Sequence, residues 1–213
     1  FNTSLGYVRQ EGIIIKSEYD KYMARINATF KKGRFSLSEK LSITNTKKVS
    51  PPGGRTLEMP TIPVTDEHGR YVSTAASKGY SITNTNISNP LAAIYKQDAF
   101  TRNTSATGSL AGTFKLMKGL QYKLNVAGTY VNTNTYKHVP AYDTFFNADG
   151  TADNKLNQTA RTSLSEGRAE NFNYTIDNLL TLNRTFQKKH HIDALLGTSW
   201  MREFYRKNSI SSG

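Results

Sequence analysis

The chain of 213 residues has 28 Lys and Arg against 16 Asp and Glu, no cysteine, and 37% hydrophobic residues. No run approaches the roughly 20 consecutive apolar residues of a membrane helix, and the lack of cysteine excludes disulfide scaffolds and thiolate metal sites. The formal charge of +12 comes from Lys and Arg scattered over turns and polar strand faces, without a basic stripe, which argues against a nucleic-acid partner.

Three alternating runs open the chain and predict three strands. They span residues 1–8, 22–30 and 35–43, with apolar side chains at every second position, as in a strand whose two faces differ. Lys31, Lys32 and Gly33 form the predicted turn between the second and third strands. Glu39 is the one charge on the apolar side of the third run.

The strongest periodic signal lies in residues 108–131, which predict a β-hairpin. Even positions carry Leu, Phe, Val, Tyr and Gly while odd positions carry Ser, Thr, Lys and Asn, and the break at 117–119 ends in Gly119, where a hairpin turn favours a positive φ. Two strands of about ten residues, apolar on one face, suit a closed barrel that crosses a bilayer. A soluble sandwich hairpin has the same pattern, so this stretch alone leaves both open.

The remaining chain contributes two more strands and two long connections. The strands are predicted at 172–182 and 192–200, joined by a turn at 185–189. The connections span about 47–105 and 132–170, where the alternation is mostly lost. The first is punctuated by prolines and contains a predicted small hairpin at 66–69, between Val64 and Tyr71.

The lengths of the connections alternate strictly along the chain. Short turns follow the second, fourth and sixth strands, and longer loops follow the first, third and fifth, so an up-and-down sheet places all short connections at one end. Outer-membrane barrels have this asymmetry, with short periplasmic turns and long extracellular loops. The sequence therefore predicts an all-β fold, a segment of a transmembrane antiparallel β-barrel with about seven strands.

Aromatic residues on the predicted apolar face support the same interpretation. They fall near the two ends of the strands, with Leu, Ile, Val and Ala between them, as in the girdles at the two surfaces of a bilayer. The predicted lipid-facing girdle residues are Tyr22, Phe30, Phe35, Phe114, Tyr122, Tyr130 and Trp200, with Phe172 and Tyr174 beside them.

The chain resembles the SusC/RagA-like family of TonB-dependent outer-membrane transporters through nearly its whole length. The matching stretches, significant by their order and spacing rather than singly, are Leu5-Gly6-Tyr7, Glu11-Gly12-Ile13, Arg25-Ile26-Asn27, Asn89-Pro90-Leu91, Lys118-Gly119-Leu120, Tyr174 and His191-Ile192-Asp193-Ala194-Leu195-Leu196-Gly197.

This resemblance implies that residues 1–213 are part of the earlier half of a 22-stranded barrel in the bacterial outer membrane. Its plug domain and the TonB box that contacts the TonB complex are not in this sequence, and the chain is expected to be an excerpt of a longer protein. Such transporters import oligosaccharides or peptides beneath a SusD-like surface lipoprotein, so the implied partners are that lipoprotein, TonB, outer-membrane lipid and the substrate.

No catalytic arrangement is present, and we expect no enzymatic activity, cofactor or metal. His190 and His191 are adjacent in a predicted strand, where their rings point to opposite faces. A calcium loop at 147–153 lacks the full acidic repeat. A cluster in the second long loop is the candidate substrate or partner contact, through stacking and hydrogen bonds: Tyr136, His138, Tyr142, Asp143 and Phe145.

Two alternatives stay open at this stage. The loop cluster is also explained by packing of the loop onto itself or onto the partner lipoprotein. For the whole chain, the alternative to a nutrient importer is a soluble or surface-displayed β-sheet module for binding or adhesion, which would be preceded by a signal peptide and repeats rather than by a plug.

Overall fold

One antiparallel sheet of seven long strands dominates the fold, in the order β1-β2-β3-β4-β5-β8-β9. The computed structural model describes residues 1–51, 63–72, 90–141, 145–153, 161–187 and 190–213. The strands are β1 (Asn2–Glu11), β2 (Glu18–Lys32), β3 (Phe35–Val49), β4 (Asp98–Met117), β5 (Leu120–Val139), β8 (Ser163–Phe186) and β9 (His190–Ser212). The prediction of an all-β, antiparallel fold is confirmed.

Three small elements lie outside this sheet. Helix α1 (Pro90–Lys96) precedes β4, and the two-residue strands β6 (Phe145–Phe146) and β7 (Ala152–Asp153) pair with each other. In the described ranges, no helix has both the length and the apolar character needed to cross a membrane.

The connections are sorted by length between the two ends of the sheet, as predicted. Residues 33–34, 118–119 and 187–189 join β2 to β3, β4 to β5 and β8 to β9 at the short-turn end. Residues 12–17, 50–97 and 140–162 join the strands at the opposite, long-loop end.

Gly119 makes the turn between β4 and β5 possible in two ways. Its φ of 85° lies in the region that only glycine adopts at little cost. A Cβ atom there would also collide with the carbonyl oxygen of Asn183 on β8, whose backbone N–H donates to the Gly119 carbonyl at 2.6 Å. The glycine predicted at this turn therefore also lets β8 approach.

The strands at the long-loop end are longer than the alternation predicted. β3 continues to Val49, β4 begins at Asp98, β5 ends at Val139 and β8 begins at Ser163, so the connections predicted at 47–105 and 132–170 shorten to 50–97 and 140–162. Most of the extra residues are polar, and along 132–135 of β5 both faces are polar. A strand with two polar faces has no hydrophobic period to detect.

None of the described helices and strands packs over the sheet as a second layer. Each strand of the sheet mainly contacts its neighbours in the sheet, and β6 and β7 contact each other. Large apolar side chains on it stay exposed, including Leu196 at 70% and Trp200 at 52%. The fully buried apolar residues of the described part are Val72, Ala92 and Phe145, and none lies in the seven-stranded sheet. A sheet that buries its apolar face under a second sheet, as in a sandwich, is therefore not what the described chain forms.

Candidate functional site

The register of the sheet separates the side chains into an apolar face and a polar face. Cross-strand partners share a face, so the pairs Phe35↔Phe114, Phe114↔Tyr122 and Tyr122↔Leu180 belong to one side. The apolar face carries all seven predicted girdle residues: Tyr22, Phe30, Phe35, Phe114, Tyr122, Tyr130 and Trp200. That these residues face lipid stays a prediction.

The aromatic residues bound an apolar band of constant width. On β2 it runs from Tyr22 to Phe30, and on β5 from Tyr130 to Tyr122, nine residues in each case. This matches the roughly 9–11 residues with which a tilted strand crosses a bilayer. β5 continues from Tyr130 to Val139, so the strands extend past the band on the long-loop side.

The band runs obliquely across the sheet. A register row is a set of residues paired across all strands and lying on one face, so that neighbouring rows of a face are two residues apart. The row of Tyr22 ends at Arg206 on β9. On β5, β8 and β9 the aromatic residue that bounds the band on the long-loop side lies closer to the short-turn end than this row. The offset is two residues for Tyr130, four for Tyr174 and six for Trp200. The edge of the band thus shifts by six residues, about 20 Å along a strand, over five strand spacings, about 24 Å. The band is therefore inclined by about 40° to the register rows, within the range of strand tilt in membrane barrels.

Tyrosines at the long-loop side point their hydroxyl groups away from the band. Tyr7 donates to Asp20 Oδ1 at 3.0 Å and Tyr130 donates to Glu170 Oε1 at 3.3 Å. Both carboxylates lie one register row farther from the turns than the tyrosine. The rings thus stay with apolar neighbours while the hydroxyls bind polar groups, the arrangement typical of interfacial tyrosines.

Two strongly polar residues, Asn178 and Glu39, and the hydroxyls of Thr3 and Thr198 interrupt the apolar face. Asn178 accepts a hydrogen bond from the Tyr122 hydroxyl at 2.5 Å, which partly satisfies its amide. Glu39 is exposed between Ala28 and Leu110, where the sequence already showed a charge out of pattern. The face is otherwise apolar between the two aromatic groups.

The polar face is built from hydrogen-bonded Asn, Ser, Thr and charged residues. Asp177 accepts from Asn125 Nδ2 at 3.0 Å and from Ser199 Oγ at 2.6 Å, which ties β5, β8 and β9 together. Asn171 Nδ2 donates to Glu203 Oε1 at 2.7 Å. This face is suited to a hydrated interior and to polar ligands.

The best-packed part of the described chain lies in the long connections rather than in the sheet. We call residues 63–72 and 145–153 together the loop unit. The predicted hairpin is confirmed, because Asp66 N donates to Arg70 O at 2.8 Å and Thr65 bridges Tyr71. Its Val72 then pairs with Phe146 through a parallel bridge.

Arg70 joins the two halves of the loop unit. Its Nε donates to Asp66 Oδ2 at 2.7 Å, and its guanidinium lies 4.0 Å from the centroid of the Phe146 ring. Beside it, Asn147 is 1% exposed and its Nδ2 donates to Thr151 Oγ1 at 2.9 Å. Nothing in the sequence pointed to Arg70, because Phe146 lies on a different connection.

Asp149 takes part in this turn instead of facing outward with free oxygens. Its Oδ1 accepts hydrogen bonds from both the backbone N–H and the hydroxyl of Thr151. Gly150 N donates to Asn147 O at 3.0 Å. The residues considered for a calcium loop thus form a self-contained turn.

The loop unit should lose its order only in acid, because Asp66 is held as a carboxylate. Burial would raise the pKa of Asp66, but hydrogen bonds from Arg70 and His68 outweigh burial and leave this pKa below its usual range. A carboxyl group whose pKa is lowered by folding stabilises the folded state at pH values above its unfolded-state pKa of about 3.9. This stabilisation is lost as the pH falls through the folded-state pKa. Protection of the Arg70 and Phe146 amides from hydrogen exchange should therefore be constant from pH 7 to 5 and fall below about pH 4.

Two variants test this pH dependence. Asp66→Asn should lower the protection at neutral pH and flatten its acid dependence, whereas Glu67→Gln, at a side chain that is 88% exposed, should change neither. Protection that declines between pH 7 and pH 5, or an Asp66→Asn profile that matches the parent, would contradict the role of Asp66.

The described members of the predicted substrate or partner cluster lie on two elements, β5 and β6. Tyr136 and His138 lie in β5 on the same face as the girdle, where Tyr136 stacks on Phe100 with centroids 5.1 Å apart. Phe145 is 1% exposed, so its ring is buried. Tyr142 and Asp143 lie outside the described residues.

Three solved structures share this fold. They are the RagAB peptide transporter (TM-score 0.74, 17% identity) and the RagAB peptide importer in the closed-closed state (0.75, 17%) and in the open-open state (0.75, 18%). Each match covers 99% of this chain but only 23% of the other chain. No protein-family model and no curated protein matches the sequence. At this identity the likeness establishes the fold: the sheet has the backbone architecture of about a quarter of a RagAB transporter chain.

Proposed function

We propose that the chain is a wall segment of a TonB-dependent nutrient importer in the bacterial outer membrane, of the SusC/RagA type. The two-faced sheet carries this proposal. An uncovered apolar face, bounded by aromatic residues nine residues apart along β2 and β5, lies opposite a polar face with all short turns at one end. Lipid outside and water inside are the surroundings that satisfy both faces.

The role of a wall segment is structural rather than energetic. The SusC/RagA resemblance assigns energy coupling to a plug and TonB box elsewhere in the parent protein. The equal match to the closed-closed and open-open states, with a TM-score of 0.75 for each, is what a wall that keeps its shape would give. Transport, not catalysis, is the activity to which it contributes.

The long-loop end is the proposed side of substrate capture and of a SusD-like lipoprotein. The loop unit lies in these connections, and Ile13, Ile14 and Ile15 in the 12–17 connection are exposed. Exposed apolar clusters of this kind are typical of contact sites for another protein. The substrate class, oligosaccharide or peptide, follows from the family resemblance.

Single cysteines test which face meets lipid, since the chain contains no cysteine. In the full-length protein reconstituted in vesicles, Asn125→Cys should react with a small water-soluble thiol reagent, because position 125 lies on the polar face. Leu124→Cys and Val126→Cys should instead react with a maleimide carried on a lipid and stay protected from the water-soluble reagent.

The same three positions distinguish the alternative of a soluble binding module. In that case all three cysteines would react with the water-soluble reagent to a degree set by their exposure, and the lipid-borne probe would label none of them. This result in folded protein would overturn the proposed function.

A further inference from the structure

A pair of cations lies on the apolar side of the sheet, just beyond the aromatic residues of the long-loop group. Lys47 on β3 and Arg102 on β4 are direct cross-strand partners, so their side chains leave the same face next to each other. Their register row also contains Asp20 on β2 and, through Asn134, Arg168 on β8. We call Lys47 and Arg102 the basic pair.

Among the described residues, neither member of the basic pair forms a salt bridge; Asp20, the cross-strand partner of Lys47 on β2, accepts a hydrogen bond from Tyr7 instead. The nearest basic neighbours differ in this respect, since Arg168 contacts Glu170 at 2.5 Å and Arg9 contacts Glu11 at 3.5 Å. Like charges placed directly opposite each other destabilise a sheet. An anion bound from outside would offset this repulsion.

One aromatic ring orders both cations. Lys47 Nζ lies 5.6 Å and Arg102 Cζ lies 5.9 Å from the centroid of the Phe100 ring, within the range of cation–π attraction. Phe100 itself stacks on Tyr136. The ring therefore holds the ammonium and guanidinium groups close together, which suits a ligand with a compact negative charge.

The height of the basic pair relative to the band identifies that ligand. The pair lies one register row beyond Tyr22, a step of about 7 Å along the strand. The headgroup layer on each side of a bilayer is about 5–8 Å thick. If the apolar band is the membrane span, as the proposed function requires, the two cations face outward at the level of lipid headgroups.

We propose that Lys47 and Arg102 bind the phosphate group of an anionic lipid headgroup in the leaflet on the long-loop side. Arg102 supplies a guanidinium that matches two phosphate oxygens, and Lys47 adds a compact charge. Phe100 and Tyr136 lie two residues farther from the band, so they flank the phosphate on its outer side and do not meet the acyl chains. An acidic protein surface is the less suitable occupant, because the pair is continuous with the band that faces lipid.

Lipid affinity of the full-length transporter tests this inference. Native mass spectrometry in detergent should show that phosphatidylglycerol binds more tightly than phosphatidylcholine with the same acyl chains. The double variant Lys47→Gln/Arg102→Gln should weaken phosphatidylglycerol binding about ten- to thirtyfold, from roughly 1 kcal/mol for each basic residue near an anionic surface. Arg25→Gln/Lys40→Gln removes the same charge from the polar face and should change it less than twofold.

Several outcomes would overturn the inference. An equal loss in both double variants would mean that only net charge matters. Competition by millimolar inorganic phosphate would indicate a site for free phosphate instead of a headgroup. Unchanged lipid binding with loss of a co-purifying partner protein would assign the pair to that protein. If the thiol labelling places positions 124 and 126 in lipid while lipid affinity stays unchanged, this inference alone fails and the proposed function stands.

Discussion

Arginine at Val126 should lower the free energy of unfolding of the full-length transporter by about 2–4 kcal/mol in lipid vesicles. Val126 lies on the apolar face, four residues from each of Tyr122 and Tyr130, at the centre of the band. Its direct cross-strand partners, Leu110 and Ile176, are apolar. The carboxylate in its register row, Glu39, lies two strands away on β3. Equilibrium unfolding in urea measures the change.

The matched control is arginine at the neighbouring position 125. Asn125 lies on the polar face and donates to Asp177, and an arginine could keep a hydrogen bond to that carboxylate. We expect Asn125→Arg to cost less than about 1 kcal/mol. Because Val126 is 40% exposed with no described layer over it, a soluble sheet would tolerate Val126→Arg almost as well as Asn125→Arg. Equal costs at the two positions would therefore contradict the membrane span.

Alanine at Phe145 should undo the loop unit while leaving the sheet assembled. Phe145 is 1% exposed and Val72 is fully buried, and removing a buried phenyl ring costs about 3–5 kcal/mol through lost contacts and the cavity that remains. A unit this small has little stability to lose, so its protection should fall to that of an open loop. Limited proteolysis of intact cells or vesicles should give new cuts near 63–72 and 145–153.

His68→Ala is the control for this experiment, since that side chain is 65% exposed and its replacement should change protection by no more than about 0.5 kcal/mol. Strands β5 and β8 should stay protected in both variants. If Phe145→Ala is cut no faster than His68→Ala, the packing of the loop unit is not what orders these connections. Any loss of uptake in Phe145→Ala should be accompanied by this loss of order, because the ring itself is not exposed to a substrate.

Local signals sufficed wherever a residue's role depends on its own strand. The alternation in 108–131 predicted two faces, Gly33 and Gly119 predicted turns, and the order of short and long connections predicted which end is which. The shared face of the predicted girdle residues also followed from the alternation of each strand. The likeness to about a quarter of each RagAB chain agrees with this fold.

The ends of the strands were not predictable in the same way. Residues such as Asn132 and Thr133 belong to β5, but both of its faces are polar there and the period disappears. Tyr136 and His138 were consequently assigned to a loop. Only the pairing with β4 and β8 shows that they continue a strand and lie on the girdle face.

The remaining features depend on residues that are distant in the chain. Phe145 could be a ligand contact or a packed ring until its burial is known, and the contact of Arg70 with Phe146 joins residues from two connections. Lys47 and Arg102 are unremarkable separately and become a cation pair only through the β3–β4 register. The sequence by itself determined the two faces and the two ends of this sheet, since these follow from each strand's own solvent exposure. The tertiary structure alone decided which side chains meet, because cross-strand register and loop docking bring together residues that no local pattern links.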